Sequence, residues 1–302
     1  MSNIDKNENN RIRRRKVSSN SISNPAFDNE NYKVNRKDNN RINKINRSNN
    51  SSELKRKKKS KSKAKRHIIF KLAKGFLLLM LVGLIFLSTV GLVFTMISVK
   101  DSPKVTKELI ESKYVSSMPV STEQIPQNLK NAVVAIEDER FYKHKGVDVI
   151  SLTRSVINNI FSDTTQGGST IDMQVSKNLL TDNEKTIKRK VKDIYNARNM
   201  NKVMNKDEIL TTYLNNIYLG KSTYGVGKGS KIYFGKDVSE LNLAQCAMLA
   251  GITNNPVRYM NHDEAKKRQE TVLYKMHELK YITDKEYSDA LYDPVPFKSE
   301  IG

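Results

Sequence analysis

The sequence predicts a mainly α-helical domain behind a single N-terminal transmembrane helix and a disordered basic tail. Three observations carry that expectation. Charge is concentrated at one end: residues 1–74 hold 23 Lys and Arg against 6 Asp and Glu, a net +17 out of +21 for the 302-residue chain. An uncharged run of 25 residues follows, from Gly75 to Val99. Beyond it apolar residues recur mostly at helical spacing, and convincing alternating runs are few.

Residues 1–66 are rich in Asn, Ser, Lys and Arg and show no helical or strand period. Such a stretch buries too little apolar surface to offset the entropy of ordering it, so it reads as a disordered basic tail. It ends in a dense basic run from Lys55 to Arg66. Gly75 to Val99, as a helix, is about 37 Å long, enough to cross a ~30 Å hydrocarbon core with some tilt. It starts too far from the N-terminus, and is too long, for a cleaved signal peptide. Lys and Arg crowd its N-terminal flank, whereas Lys100, Asp101, Lys104 and Lys107 are sparse and mixed on the other. The positive-inside rule then puts the tail in the cytoplasm, against anionic headgroups, and residues 100–302 outside the cell membrane.

Residues 100–302 are of one-domain size. Ile209, Leu210, Tyr213, Leu214, Ile217 and Tyr218 make a buried helix stripe; Leu243, Ala247, Leu249 and Ala250 suggest a second. Val272, Leu273, Met276 and Leu279 suggest a third, and residues 149–161 are strongly apolar. The net charge of this part is only +4, from 30 Lys and Arg against 26 Asp and Glu. The basicity therefore belongs to the tail, which weakens a nucleic-acid role, and no nucleic-acid partner is expected. The single cysteine, Cys246, excludes an intramolecular disulfide and a multi-cysteine metal site. Four His and no Trp argue against a His-rich metal centre.

Three stretches offer chemistry. In AIEDERFYKHKGVD, residues 135–148, a helix would put Glu137, Phe141 and His144 on one face. A carboxylate beside an aromatic and an imidazole suits a general base; a surface acidic cluster with one core Phe is the plainer alternative. In QGGSTIDMQVSKNLL, residues 166–180, two glycines and Ser169-Thr170 mark a turn and cap before a helix carrying Gln174 and Lys177 at i, i+3. Free backbone N–H groups, hydroxyls, an amide and a lysine suit a phosphate or sugar, though an ordinary capped helix start reads the same way. In KTIKRKVKD, residues 185–193, dense positive charge precedes Asp193, which stands i, i+4 from Arg189. Alone, that run reads as a solvated helix face. GVGKGS at 225–230 lacks full phosphate-loop spacing, and the S-x-x-K match at Ser60 lies in the tail.

Taken in order, these stretches resemble the peptidoglycan glycosyltransferase (transglycosylase) family, shared with the glycosyltransferase domain of bifunctional penicillin-binding proteins, and most of all its monofunctional, membrane-anchored members. Five motifs carry the resemblance, over about residues 115–295. The first is Glu137, Asp138, Phe141, His144 and Gly146. The second is Gly167, Ser169, Thr170, Ile171, Gln174, Lys177 and Asn178. The third is Arg189 and Lys190, with Asp193 in the place of a Glu. The fourth is Lys206, Ile209, Leu210, Tyr213, Leu214 and Asn215, and the fifth Arg268, Val272 and Leu273.

The resemblance implies a lysozyme-like, mainly α fold and extension of glycan strands from lipid II, with inversion and release of undecaprenyl pyrophosphate. It implies Glu137 as general base and Asp193 as a second catalytic carboxylate. It implies substrate contacts from Asp138, Phe141, His144, Ser169, Thr170, Gln174, Lys177, Asn178, Arg189 and Lys190. It further implies lipid II and the growing glycan strand as partners, an apolar flap at 149–161 touching the membrane, and association with other cell-wall synthesis proteins. The sequence requires no cofactor; a divalent cation, Mg or Mn, at the pyrophosphate is a family property for which it offers no dedicated ligand set. Asp193 is one methylene shorter than Glu, and Met173, Asn201, Thr211 and Gln245 also depart from the family pattern, the last three as lost buried salt links. The competing expectations are a catalytically weak or inactive lipid II-binding scaffold and a lysozyme-type hydrolase.

Overall fold

The structure is a computed structural model that describes residues 35–161, 167–181 and 184–301. It divides at residues 83 and 84 into two compact units. Residues 1–34 of the expected tail lie outside the described residues. Residues 35–66 are described as part of a continuous helix, α1 (Asn35–Val99). Helix nucleation is costly and propagation cheap, so a helix already formed in the apolar segment can continue into the Lys- and Arg-rich run before it, although Asn and Ser further upstream are poor helix formers. Local bonds accompany it: Ser51, Ser52 and Ser62 donate to carbonyls three residues back, and Lys57 pairs with Glu53 at i, i+4. The apolar part of α1 is long enough to cross a membrane, and its side chains are almost all exposed, as a lipid-facing span requires.

The second unit contains short helices joined by turns. They are α2 (Lys107–Ser112), α3 (Gln127–Glu137), α4 (Val149–Phe161), α5 (Ile171–Leu179), α6 (Ile187–Val203) and α7 (Lys206–Asn216). Then come α8 (Val226–Phe234), α9 (Leu243–Ile252), α10 (His262–Glu278), α11 (Asp284–Tyr292) and α12 (Lys298–Ile301). One antiparallel bridge, Tyr218 with Tyr224, is the nearest approach to a sheet among the described residues. The mainly α expectation holds. The predicted stripes fall on α7, α9 and α10, with Ile217 and Leu279 capping α7 and α10 and Tyr218 exposed in the bridge.

Apolar on every side, α9 is the central helix, and from Ala244 to Ile252 all of it is buried. Helices α3 and α10 pack against it, while α5 packs against α6 and α7. Caps set where these helices begin. Asn205 with Glu208 and Asn242 with Gln245 form reciprocal boxes at α7 and α9. Gln245, one of the departures from the family pattern, thereby caps a helix. Thr211, another, shares a hydrogen bond with Thr122 at 2.9 Å.

Two glycines allow close approaches that shape the site. Gly146 has φ +92°, and a Cβ there would meet the Ala197 carbonyl of α6 at 2.5 Å. A Cβ on Gly168 would meet the Ser155 hydroxyl of α4 at 2.3 Å. Helix α4 itself buries only Ser155. Val149, Ile150, Val156, Ile157, Ile160 and Phe161 are exposed, Phe161 to 82%.

Candidate functional site

Glu137 is the last residue of α3. The helix stops there because Asp138 adopts φ −157°, ψ 73°, and its carboxylate is used elsewhere. Phe141–Lys143 form a separate 3-10 turn, so Glu137, Phe141 and His144 do not share a helix face as the sequence suggested. Glu137 stands apart from the other two, half-buried, with both oxygens held. Gln174 Nε2 of α5 donates to Oε2 at 2.8 Å, and the Thr253 hydroxyl, at the end of α9, donates to Oε1 at 3.1 Å. Tyr213 of α7 donates to Gln174 Oε1 at 3.4 Å, which turns the amide so that its NH₂ faces Glu137. Burial and the nearby Glu137 charge push the Tyr213 phenol well above its ordinary pKa, so it remains a donor.

Asp138, Phe141 and His144 have buried side chains. Asp138 accepts from the Ile171 backbone N–H at 3.0 Å and from His144 Nε2 at 3.0 Å. Asp172, fully buried, accepts from Lys206 Nζ at 3.1 Å on both oxygens and from Asn201 Nδ2 at 2.5 Å. The Lys206 ammonium also sits 4.2 Å from the centre of the Phe141 ring. Asn201, read from sequence as a lost salt link, is thus a direct partner of Asp172. Asp138, His144 and Asp172 offer three ligand atoms within 4.8 Å of one another, the arrangement in which a divalent cation would be sought. The donors present do not fit one. Lys206 already supplies the cation at Asp172, and both carboxylates accept hydrogen bonds from neutral or cationic donors. The group is a buried ionic strut tying α3, α5 and α7 together.

The start of α5 is similarly self-contained. The Thr170 hydroxyl donates to Gly146 O at 2.7 Å and accepts from the Met173 N–H at 3.2 Å. With Ile171 N–H on Asp138, the first-turn donors expected to be free for a phosphate are largely taken. What faces outward is side-chain chemistry. Ser169 is exposed and accepts from Lys190 Nζ at 2.7 Å. Lys177 and Asn178 are exposed in the last turn of α5. Burial, then the neighbouring Arg189 and Lys177 charges, hold the Lys190 ammonium below its ordinary pKa, partly offset by Asp193. Gln166, at the head of this stretch, lies outside the described residues.

Asp193, expected as a second catalytic carboxylate, is buried to 1% exposure. Oδ1 accepts from the Thr181 and Ser176 hydroxyls at 2.8 and 3.1 Å, and Oδ2 from Arg189 Nη1 at 3.0 Å. Burial raises its pKa, opposed by those hydroxyls and by the charges of Arg189 and Lys190. The expected i, i+4 pair with Arg189 is present.

A cleft of about 310 Å³ opens beside Glu137, lined also by Glu139, Arg154, Ser169, Thr170 and Lys275. It joins the carboxylate to the basic group through Ser169. Sequence reasoning missed Arg154, Lys275 and Thr253. Arg154 and Lys275 are ordinary polar positions of α4 and α10, and Thr253 is one hydroxyl after an apolar helix; only packing brings them to Glu137.

Residues 103–277 match the family profile described as Transglycosylase. The chain is 46% identical over 194 residues to penicillin-binding protein 1A of Clostridium perfringens, covering 60% of this chain and 28% of that protein. It is 44% identical over 177 residues to a Cupriavidus necator protein provisionally named a transglycosylase, covering 57% of this chain and 76% of the relative. The crystal structure of penicillin-binding protein 1A from Haemophilus influenzae aligns over 60% of this chain and 18% of that chain, with 25% identity and a TM-score of 0.37. The chain thus spans less than a third of the length of these penicillin-binding relatives.

Proposed function

The chain belongs to the transglycosylase family, and from that premise we propose that it is a peptidoglycan glycosyltransferase that polymerises glycan strands from lipid II at the membrane surface. The observation that carries the reading is Glu137: a carboxylate with both oxygens oriented, at the edge of a cleft that a lysine-linked serine joins to a basic patch.

In this reading Glu137 takes the proton of the GlcNAc 4-hydroxyl of lipid II. The freed oxygen pair forms the new bond to C1 of the growing strand. The bond from C1 to the lipid pyrophosphate breaks, its electron pair leaves on the pyrophosphate, and C1 is inverted. A general base of this kind is worth ~10²–10⁴-fold. The rest comes from holding the two sugars in line and from neutralising the charge that develops on the leaving group. Lys177, Arg189 and Lys190 supply that charge, and Ser169 and Asn178 supply polar contacts to sugar or phosphate. Gln174 orients the base. Asp193 acts by fixing Arg189, and Asp138, Phe141, His144 and Thr170 act by fixing α5 under Glu137. No step is assigned to a metal.

The membrane assignments support the same reading. An apolar span with the basic flank on the cytoplasmic side leaves residues 100–302 outside, where lipid II is polymerised. The exposed apolar side chains of α4 suit contact with lipid tails. Detergent-solubilised protein given labelled lipid II should make long glycan strands, and Glu137→Gln should abolish them while the protein stays folded. Well-folded wild-type protein that makes no polymer would refute the enzyme reading, and release of short soluble sugars would indicate hydrolysis.

A further inference from the structure

We infer that Thr253 is a positioning residue for the base, one whose hydroxyl serves both protonation states of Glu137; the inference rests on the reading of Glu137 given above. Thr253 follows the last turn of α9, where every neighbour from Ala244 to Ile252 is buried. Its Oγ1 lies 3.1 Å from Glu137 Oε1 and 2.8 Å from the Ala250 carbonyl oxygen. A hydroxyl has one proton and two lone pairs, so it donates to one of these acceptors at a time. While Glu137 is ionised, the bond to the carboxylate is charge-assisted and the stronger of the two. Once Glu137 has taken the acceptor's proton, the hydroxyl can turn its own proton to Ala250 O and accept from the new carboxyl O–H. Neither oxygen need move.

This differs from what Gln174 does on the other oxygen. The Gln174 amide is fixed by Tyr213 and can only donate from Nε2, so it favours the ionised base alone. Among the described residues, Thr253 is the one hydrogen-bond partner of Glu137 that can reverse its bond as the proton arrives. It follows α9, whose residues from Ala244 to Ile252 are all buried, so the carboxylate is referenced to the core rather than to the cleft's glycine-rich edge.

The test uses the full-length protein in detergent with labelled lipid II. Thr253→Val keeps shape and removes the hydroxyl; Thr253→Ser keeps the hydroxyl and removes a methyl. The valine variant should lose about tenfold in kcat, the scale of one charge-assisted hydrogen bond, with KM for lipid II within about twofold. The serine variant should restore most of that loss. If Thr253→Val keeps wild-type kcat while Glu137→Gln is dead, the inference fails and the base stands. An equal loss in the valine and serine variants would show that the residue acts by packing, which also overturns it. If Glu137→Gln polymerises normally, the base assignment itself is wrong.

Discussion

The role given to Asp193 is open to a quantitative test. Asp193→Asn keeps the side-chain shape. Its carbonyl oxygen can still accept from Ser176 and Thr181, but its NH₂ then faces the Arg189 guanidinium, which stands 3.0 Å away. Two donors oppose each other and the ion pair is lost. A hydrogen bond between charged groups is worth about 1.5–3 kcal/mol. Arg189 keeps 18% of its side chain exposed and can recover part of that from water, which leaves about 1–2 kcal/mol. For a domain of this size that lowers Tm by roughly 2–8 °C. The catalytic consequence follows from Arg189. Its Nε is buried with no partner, so the Asp193 contact is what orients the guanidinium. Releasing it should lower kcat/KM for lipid II by about tenfold or more. The assay is a double-mutant cycle with Asp193→Asn, Arg189→Gln and the pair, read by polymerisation rate and by thermal unfolding. A positioning role gives a coupling energy of about 1–2 kcal/mol and a double variant hardly worse than Arg189→Gln alone. Additive losses would refute the reasoning. So would a far larger loss in Asp193→Asn than in Arg189→Gln, which would return Asp193 to the reacting atoms.

Two further outcomes follow from burial. Asp193→Glu restores the residue type of the family motif, and sequence alone suggests that activity is kept or raised. The filled site around Asp193 argues otherwise: an added methylene costs about 1–3 kcal/mol by overpacking and displaces the carboxylate from Thr181, so both Tm and rate should fall. On α4, Ile160→Asp together with Phe161→Asp removes two exposed apolar side chains. Tm should change little, since such surface positions contribute within about 0.5 kcal/mol each, whereas KM for lipid II in bilayers should rise. A rise in KM absent from bilayers would count against lipid contact by this helix.

Much of the fold was legible because its signals are local. The stripe from Ile209 to Ile217 and the apolar run of α9 each state a helix and its buried face within one segment. The cap at Thr170 and the Arg189–Asp193 pair are short-range patterns of the same kind. Errors arose where a residue is recruited by a distant element. Asp138 was read as continuing a helix but leaves α3 to accept from the first N–H of α5. The α5 N–H groups, read as free, are occupied for the same reason.

The sequence by itself determined an apolar helix long enough to cross a membrane, the helical character of the domain, the location of the excess charge and the family to which the chain belongs. These depend on composition, periodicity and order along the chain. Tertiary structure alone decided which side chains of the motifs are buried against one another and which line the cleft or stay exposed. Phe141, His144, Asp138 and Thr170 are buried among protein partners, while Glu137 is half-buried at the cleft and Ser169, Lys177 and Asn178 are exposed. The reason is that a buried polar group must find its partner across the fold, and for Asp172 that partner is Lys206, 34 residues away. It is also why Thr253, 116 residues from Glu137, carries no mark in the sequence of its place beside the base.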